Sequence, residues 1–179
     1  MKKRSVILAA GCFWCIQKHF DEIDGVLSTT VGYTGGHTSH PTYEAVCGGS
    51  TGHYEALQVE FDEEKISFEE VIEAYLSQVD PENAYGQFCD LGSQYLLAVF
   101  YENEEEKQAI EKKVLEFQKE HHLKKMMIRV LLKETFYPAE VYHQKFYQKS
   151  PLRYHQYQSF SGRKERLKEI GDKKLNVDF

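Results

Sequence analysis

Strand and helix patterns that alternate along one 179-residue chain predict a single-domain protein of the α/β (α+β) class, a two-layer sandwich of helices on a mixed sheet with long loops. Three observations carry the prediction. The apolar run Val6-Ile7-Leu8-Ala9-Ala10 breaks at Gly11 and gives way to Phe13, Ile16, Phe20 and Ile23 at helical spacing. Leu57, Val59 and Phe61 recur at the period of a half-buried strand. Tyr95-Leu96-Leu97-Ala98-Val99-Phe100-Tyr101 is apolar on both faces, as a central strand is.

The first element is therefore a buried strand, followed by a glycine turn and a helix over residues 12–23 that Gly25 closes. Leu27-Ser28-Thr29-Thr30-Val31 is β-branched and reads as a second strand ahead of the glycine-rich residues 32–36. Residues 37–52 collect Gly, Ser, Thr and a Pro, which predicts a long ordered loop. After a strand over 54–61 comes Ser67-Phe68-Glu69-Glu70, with Ser67 as N-cap and Glu70 three positions on: a capping box. That helix runs through Val71, Tyr75 and Val79 and stops at Asp80-Pro81. A polar loop leads to the central strand, and Asn103 then caps a third helix reaching about His122. A last strand is expected over 126–132 and a helical turn over 141–147. Apolar residues beyond Ser159 are too few to anchor the chain, so 163–179 is expected as a surface tail of one domain spanning 1–179.

Apolar residues make up 41% and charged residues 28%, the balance of a soluble globular chain. The basic residues 1–5 lead into an apolar run too short for a signal-peptide core or a transmembrane helix. No membrane partner is expected, and the protein is read as cytoplasmic. The net charge is −6, and the late basic cluster Arg163-Lys164-Glu165-Arg166 is interleaved with Glu, which describes a solvated face and no nucleic-acid surface. Of four cysteines, two stand in Cys12-Phe13-Trp14-Cys15 and two are isolated, which fits working thiols in a reducing compartment better than a secreted disulfide framework.

Cys12 falls at the junction of strand and helix, where unpaired N–H groups and the positive end of the helix dipole favour a thiolate. A buried cysteine is otherwise a small hydrophobe, but Gly11-Cys12 at this junction, with aromatic neighbours, points to a nucleophile. Cys15, three residues on along the same face, can resolve an oxidised Cys12 or share a metal with it. Zinc would need two further ligands, and Cys47, Cys89 and the histidines show no second paired spacing, so neither a metal nor a bound cofactor is expected. Glu55, in Gly52-His53-Tyr54-Glu55, has two readings: a surface glutamate at a strand end, or an inward carboxylic acid kept neutral by desolvation and suited to general acid work. Tyr43 lies in the loop before it. Asp90 and Tyr95, in Cys89-Asp90-Leu91-Gly92-Ser93-Gln94-Tyr95, add polar groups ahead of the central strand and mean little by themselves.

Together, Gly11-Cys12-Phe13-Trp14, Gly32-Tyr33-Thr34-Gly35-Gly36, Pro41-Thr42-Tyr43, Gly52-His53-Tyr54-Glu55-Ala56, Asp80-Pro81, Asp90-Leu91-Gly92-Ser93-Gln94-Tyr95 and Tyr142-His143-Gln144 form an ordered set. In order and spacing it resembles the A-type peptide methionine sulfoxide reductases, from about residue 6 to residue 162. The resemblance implies a ferredoxin-like core and thioredoxin-dependent reduction of the S epimer of methionine sulfoxide, free or in peptides and proteins. It makes Cys12 the nucleophile and Glu55 the acid. It also makes Tyr43 and Tyr95 hydrogen-bond donors to the sulfoxide oxygen, Asp90 a positioning group, and Phe13 and Trp14 the wall of a slot for the S-methyl group. The chemistry agrees, since a thiolate attacking a sulfoxide must displace oxygen, a poor leaving group without an adjacent acid. Cys12 is then left as a sulfenic acid, which a second thiol condenses into a disulfide that thioredoxin opens. The implied partners are thioredoxin and the sulfoxide substrate; the protein is expected to be a monomer.

Many relatives carry Gly where Cys15 stands, Glu where Gln17 stands, and a resolving cysteine near the carboxyl terminus, whereas this chain has no cysteine after Cys89. Cys15 is therefore expected to resolve Cys12, with Cys89 as the alternative, and Cys47 is expected to be a buried structural residue. Two other readings compete. A thioredoxin-like protein disulfide oxidoreductase would suit Cys12-Phe13-Trp14-Cys15 but would leave Glu55, Tyr43 and Tyr95 idle. A zinc-binding or redox interaction module would be no enzyme and would hold stoichiometric metal.

Overall fold

The computed structural model describes residues 1–175. Its first half runs β1 (Lys3–Ala10), α1 (Phe13–Asp21), β2 (Val26–Thr34), α2 (Tyr43–Cys47), β3 (Tyr54–Asp62) and α3 (Phe68–Leu76). A small hairpin follows, β4 (Gly86–Gln87) with β5 (Asp90–Leu91), then β6 (Leu97–Tyr101), α4 (Glu104–Glu120), β7 (Arg129–Leu132) and β8 (Tyr137–Pro138). Three helices close the described chain: α5 (Phe146–Lys149), α6 (Pro151–Phe160) and α7 (Arg163–Leu175).

Six strands form one sheet in the order β7-β6-β1-β3-β2-β8. Every pairing in it is antiparallel except the parallel β6–β7 pair, so the sheet is mixed as expected. The inner four strands, with α1 joining β1 to β2 and α3 following β3, make the ferredoxin-like core.

Strand alternation sorts the apolar residues onto two faces. Val6, Leu8 and Ala10 of β1, with Leu57, Val59 and Phe61 of β3, face the helices and pack with Phe13, Ile16, Phe20, Ile72 and Tyr75. Ile7 and Ala9 turn the other way, toward Ala56, Ala98 and Phe100, beneath Phe136 and Leu131. β1 is thus covered on both sides, which is why its sequence is an unbroken apolar run. Each large side chain so buried contributes roughly 1.5–3 kcal/mol, the main favourable contribution to the fold. Tyr75 adds a tie between layers, its hydroxyl donating to the Ala9 carbonyl at 2.7 Å.

The expected caps are present. Ser67 Oγ accepts from Glu70 N at 3.1 Å while Glu70 Oε2 accepts from Ser67 N at 2.8 Å, and Asn103 Oδ1 accepts from Glu106 N at 2.9 Å. Other expectations need correction. β2 continues to Thr34 because Gly32 and Tyr33 are paired on both sides, with Ala56 and Glu55 on β3 and with Pro138 and Tyr137 on β8. The predicted loop over 37–52 contains α2, whose N-cap Thr42 accepts from Ala45 N at 3.2 Å. The strand expected over 126–132 is only Arg129–Leu132, and β8 follows it.

Where a surface tail was predicted, α7 lies against the loop that follows α3 and the end of α4, held largely by charge. Arg166 grips Asp80 at 2.9 and 3.2 Å and Glu82 at 3.1 Å, Lys173 reaches Glu82 at 3.3 Å, and His121 Nδ1 is paired with the Ile170 carbonyl at 2.9 Å. Ion pairs and Ile170 stand in for the apolar residues the segment lacks. Residues 176–179 of that predicted tail lie outside the described residues. Among the described residues, no helix is long and apolar enough to cross a membrane.

Candidate active site

Gly11 makes the turn between β1 and α1 at φ +80°, and a Cβ there would lie 2.6 Å from Gln87 Cβ. Gln87 cannot retreat. Its amide oxygen accepts from Asp80 N, and its amide nitrogen donates to Asp80 O and Gly86 O, each at 2.8 Å. The β4–β5 hairpin is therefore pressed against the turn that carries Cys12, the N-cap residue of α1.

The first helical amide, Phe13 N–H, donates to Glu55 Oε1 at 3.2 Å. That bond sets the carboxyl beside the cysteine. Glu55 has the strand parity of Leu57, Val59 and Phe61, so it points into the helix layer and is only 2% exposed. Of its two readings, the inward one is observed. Burial pushes its carboxyl up to about 8, the Phe13 N–H opposes this, and the nearby Asp90 charge adds to it.

Cys12 and Cys15 are 7% and 6% exposed and hydrogen-bonded to each other. Burial raises the Cys12 thiol well above its ordinary value; the bond to Cys15 and the charges of Cys15, Glu55 and Asp90 raise it further. This runs against the expectation of a helix-lowered Cys12, because burial outweighs the helix end. Cys15 is pulled down to about 7 by the hydrogen bond from Cys12, against burial, and the Arg163 guanidinium and Tyr154 hydroxyl assist. The two thiols therefore titrate as one unit, neither independent of the other.

Phe13 is fully buried, with its ring 5.9 Å from Tyr33 and 5.2 Å from His143. Trp14 stacks on Phe146 at 3.9 Å, meets Tyr157 edge-on at 5.8 Å, and donates its Nε1–H to His143 Nδ1 at 3.0 Å. Both predicted aromatics therefore border the thiols. Half-buried Tyr43, on α2, and Tyr95, in the turn before β6, both hydrogen-bond Cys47 and feel the charge of Glu55. Burial raises both phenols, so they are donors at any physiological pH. Cys47, expected to be buried, is exposed, because the short α2 turns it outward beside these hydroxyls. Asp90 accepts from the Tyr157 hydroxyl, and its carboxyl is raised chiefly by burial.

The structure therefore brings Cys12, Cys15, Phe13, Trp14, Glu55, Tyr43, Tyr95 and Asp90 into one place. It adds groups that were not singled out from sequence. His143 is 1% exposed and holds Trp14; it stands in the quoted Tyr142-His143-Gln144 segment, so a signal existed. Tyr154, Tyr157 and Arg163 come from α6 and α7, which fold back over the thiols. Gln17, one of the positions that depart from the family pattern, is wholly buried, donating to Thr29 Oγ1 at 3.2 Å and accepting from Lys145 N at 2.7 Å. No cluster of three or more potential metal ligands occurs among the described residues.

The sequence profile of the peptide methionine sulfoxide reductases matches residues 4–175. A protein of Bacillus velezensis, peptide methionine sulfoxide reductase MsrA, is 45% identical over 169 residues, which are 94% of this chain and 96% of that one. Among solved structures, Mxr1 from Saccharomyces cerevisiae in reduced form is similar at a TM-score of 0.80 and 29% identity, over 84% of this chain and 87% of that one. Mxr1 in complex with Trx2 shares the fold at a TM-score of 0.58 and 18% identity, over 81% of this chain and 85% of that one.

Proposed function

We propose that this chain, which belongs to the peptide methionine sulfoxide reductase family and reduces methionine sulfoxide through its thiols, does so with Cys12 as nucleophile and Glu55 as acid. The observation that carries this assignment is the Phe13 N–H bond to a Glu55 carboxyl held at about 8, an acid still protonated at pH 7 and bonded to the residue that follows Cys12.

In this reading the S-methyl group lies against Phe13 and Trp14, and Tyr43 and Tyr95 donate to the sulfoxide oxygen. As Cys12 attacks the substrate sulfur, its proton passes to the Cys15 thiolate, and Glu55 protonates the departing oxygen. Net, oxygen moves from substrate to Cys12. The sulfoxide becomes a thioether and the thiol a sulfenic acid. Cys15 then condenses with that sulfenic acid, forming an S–S bond and releasing water. The Arg163 cation and Tyr154 hydroxyl support this by keeping Cys15 nucleophilic. The apolar wall opposite two phenols presents one face of the chiral sulfur, which favours the S epimer. A thioredoxin-type dithiol is the assigned reductant; Mxr1, of the same fold, is a protein solved with Trx2. We read the chain as a single catalytic domain acting as a monomer in the cytoplasm, on the support of cysteine usage suited to a reducing compartment.

The test is a steady-state assay of the two resolved epimers with thioredoxin as reductant. Turnover of S alone is expected, and turnover of R alone would overturn the reading. Cys12→Ser should release no methionine. If Cys15→Ser still closes an intramolecular disulfide and turns over normally, Cys15 is not the resolving residue.

A further inference from the structure

The Trp14 indole is held by a segment far from its own helix in the chain. His143 accepts its N–H at the ring edge, and Phe146 covers its face with the two planes 10° apart. Between these two residues the chain turns at Lys145, which lies at φ +52° and ψ +45°, in the left-handed region. A lysine gains nothing from that conformation, since its Cβ crowds the backbone there. The surroundings must therefore hold it in place.

A closed ring of hydrogen bonds begins and ends on Lys145. Its backbone N–H donates to Gln17 Oε1 at 2.7 Å, and Gln17 Nε2 donates to Thr29 Oγ1 at 3.2 Å. The Thr29 hydroxyl donates in turn to Asp21 Oδ1 at 2.5 Å, and Asp21 Oδ2 accepts from the Lys145 ammonium at 2.7 Å. Lys145 contributes donors only, so the direction of every bond in the ring is fixed. The amide at position 17 suits this, because it accepts from one neighbour and donates to the next. A carboxylate there could only accept, and would leave the Thr29 hydroxyl two acceptors for one proton. On the other side of the turn, Gln144 is pinned to β2, its amide oxygen accepting from Val31 N at 3.0 Å and its amide nitrogen donating to Val31 O at 2.9 Å.

We propose that the left-handed turn at Lys145, held by Gln17, is a positioning device for the methyl slot, setting the pose of the Trp14 indole and through it the affinity for the sulfoxide. The proposal rests on the reading of Trp14 as a wall of that slot and adds the residues that fix the wall. The bonds of Lys145 and Gln17 run to each other, to Thr29 and to Asp21, so their effect on the reaction passes through the segment they hold. The wall meets the methyl group before and during the chemical step alike. A displaced indole therefore weakens binding and leaves the rate of the bound complex unchanged.

Trp14 is the single tryptophan of the chain, so its emission reports the indole directly. The experiment mixes reduced full-length protein with increasing methionine sulfoxide, without reductant, and times release of the first methionine, which yields a half-saturating concentration and a limiting rate. Lys145→Val, whose branched side chain resists the turn, should raise the half-saturating concentration about tenfold, keep the limiting rate within about twofold, and red-shift the Trp14 emission. Lys145→Gly adopts the turn freely and should bring affinity and emission back close to wild type, although it lacks the ammonium. Gln17→Met keeps the volume but leaves the Lys145 N–H unpaired, and should behave as Lys145→Val does; it serves where the valine variant does not fold. Ser67→Ala removes a helix cap at the end of β3 away from Glu55, so it lowers stability and should move neither readout. Unchanged affinity and emission in the Val and Met variants overturn the proposal. So does an emission shift without a change in affinity, or a glycine variant as impaired as the valine one. Failure of the underlying reading shows separately in Trp14→Ala: unchanged half-saturation there means that the indole lines no slot, and the proposal falls with it.

Discussion

Replacing Glu55 by Gln isolates one buried proton. The amide is nearly isosteric, and its oxygen can still accept the Phe13 N–H bond, now at 3.2 Å, so packing is conserved. What changes is the response to pH. Glu55 has an ordinary value of 4.5 and is raised to about 8 by burial in the folded protein. At about 1.4 kcal/mol per pKa unit, this difference corresponds to about 5 kcal/mol between its neutral and ionised forms. Between pH 4.5 and 8 the unfolded chain releases this proton and the folded chain keeps it, so folding stability falls as pH rises through that window. Above 8 both states are ionised and the loss is complete. Glu55→Gln lacks this penalty. Its stability relative to wild type should be near zero at pH 4.5 and climb across the window by several kcal/mol, with about 5 as the upper bound. Urea unfolding of both proteins at half-unit pH steps measures the difference directly. The same variant should release the first equivalent of methionine roughly 10²–10⁴ times more slowly at pH 7, since the departing oxygen has lost its acid. A stability difference that stays flat from pH 4.5 to 9 would mean that Glu55 is ionised throughout, and would refute the reasoning.

Three further outcomes follow from named contacts. Gly11→Ala places a methyl group at φ +80° against a Gln87 held by three hydrogen bonds; a loss of at least about 1–2 kcal/mol is expected in urea unfolding, together with a slower first turnover as Cys12 shifts. Tyr75→Phe removes the buried 2.7 Å bond to the Ala9 carbonyl and should cost about 1–2 kcal/mol, read as a lower urea midpoint at an unchanged slope. Arg166→Gln breaks the partly exposed pairs to Asp80 and Glu82, and its cost of about 1 kcal/mol or less should shrink further in 1 M salt; a cost that is insensitive to salt would show that α7 docks by packing instead.

Local order was legible from the residues. The capping box at Ser67 and Glu70 and the Asn103 cap involve side chains bonding to backbone three positions away, so nothing distant is needed to foresee them. Strand parity in β3 is equally local and sets Glu55 on the face of Leu57 and Val59, but composition alone favours a surface glutamate there, and the structure decided for the inward reading. α2 escaped notice because Gly and Ser flank its five residues, leaving Thr42 as its one clear signal.

The main run of strands and helices, the place of Cys12 at a strand-to-helix turn and the family pattern are thus properties of the sequence alone, because each depends on neighbours within a few residues. The ionisation of the site was decided only by the tertiary structure. Glu55 meets Phe13 across 42 positions, Trp14 meets His143 across 129, and α6 and α7 return over the thiols from the far end of the chain. Such contacts remove water from Cys12 and assign the helix amide to Glu55, and desolvation then raises the very thiol that the helix dipole was expected to lower. Proton affinity depends on everything packed around a group, and that environment exists only once distant segments have met.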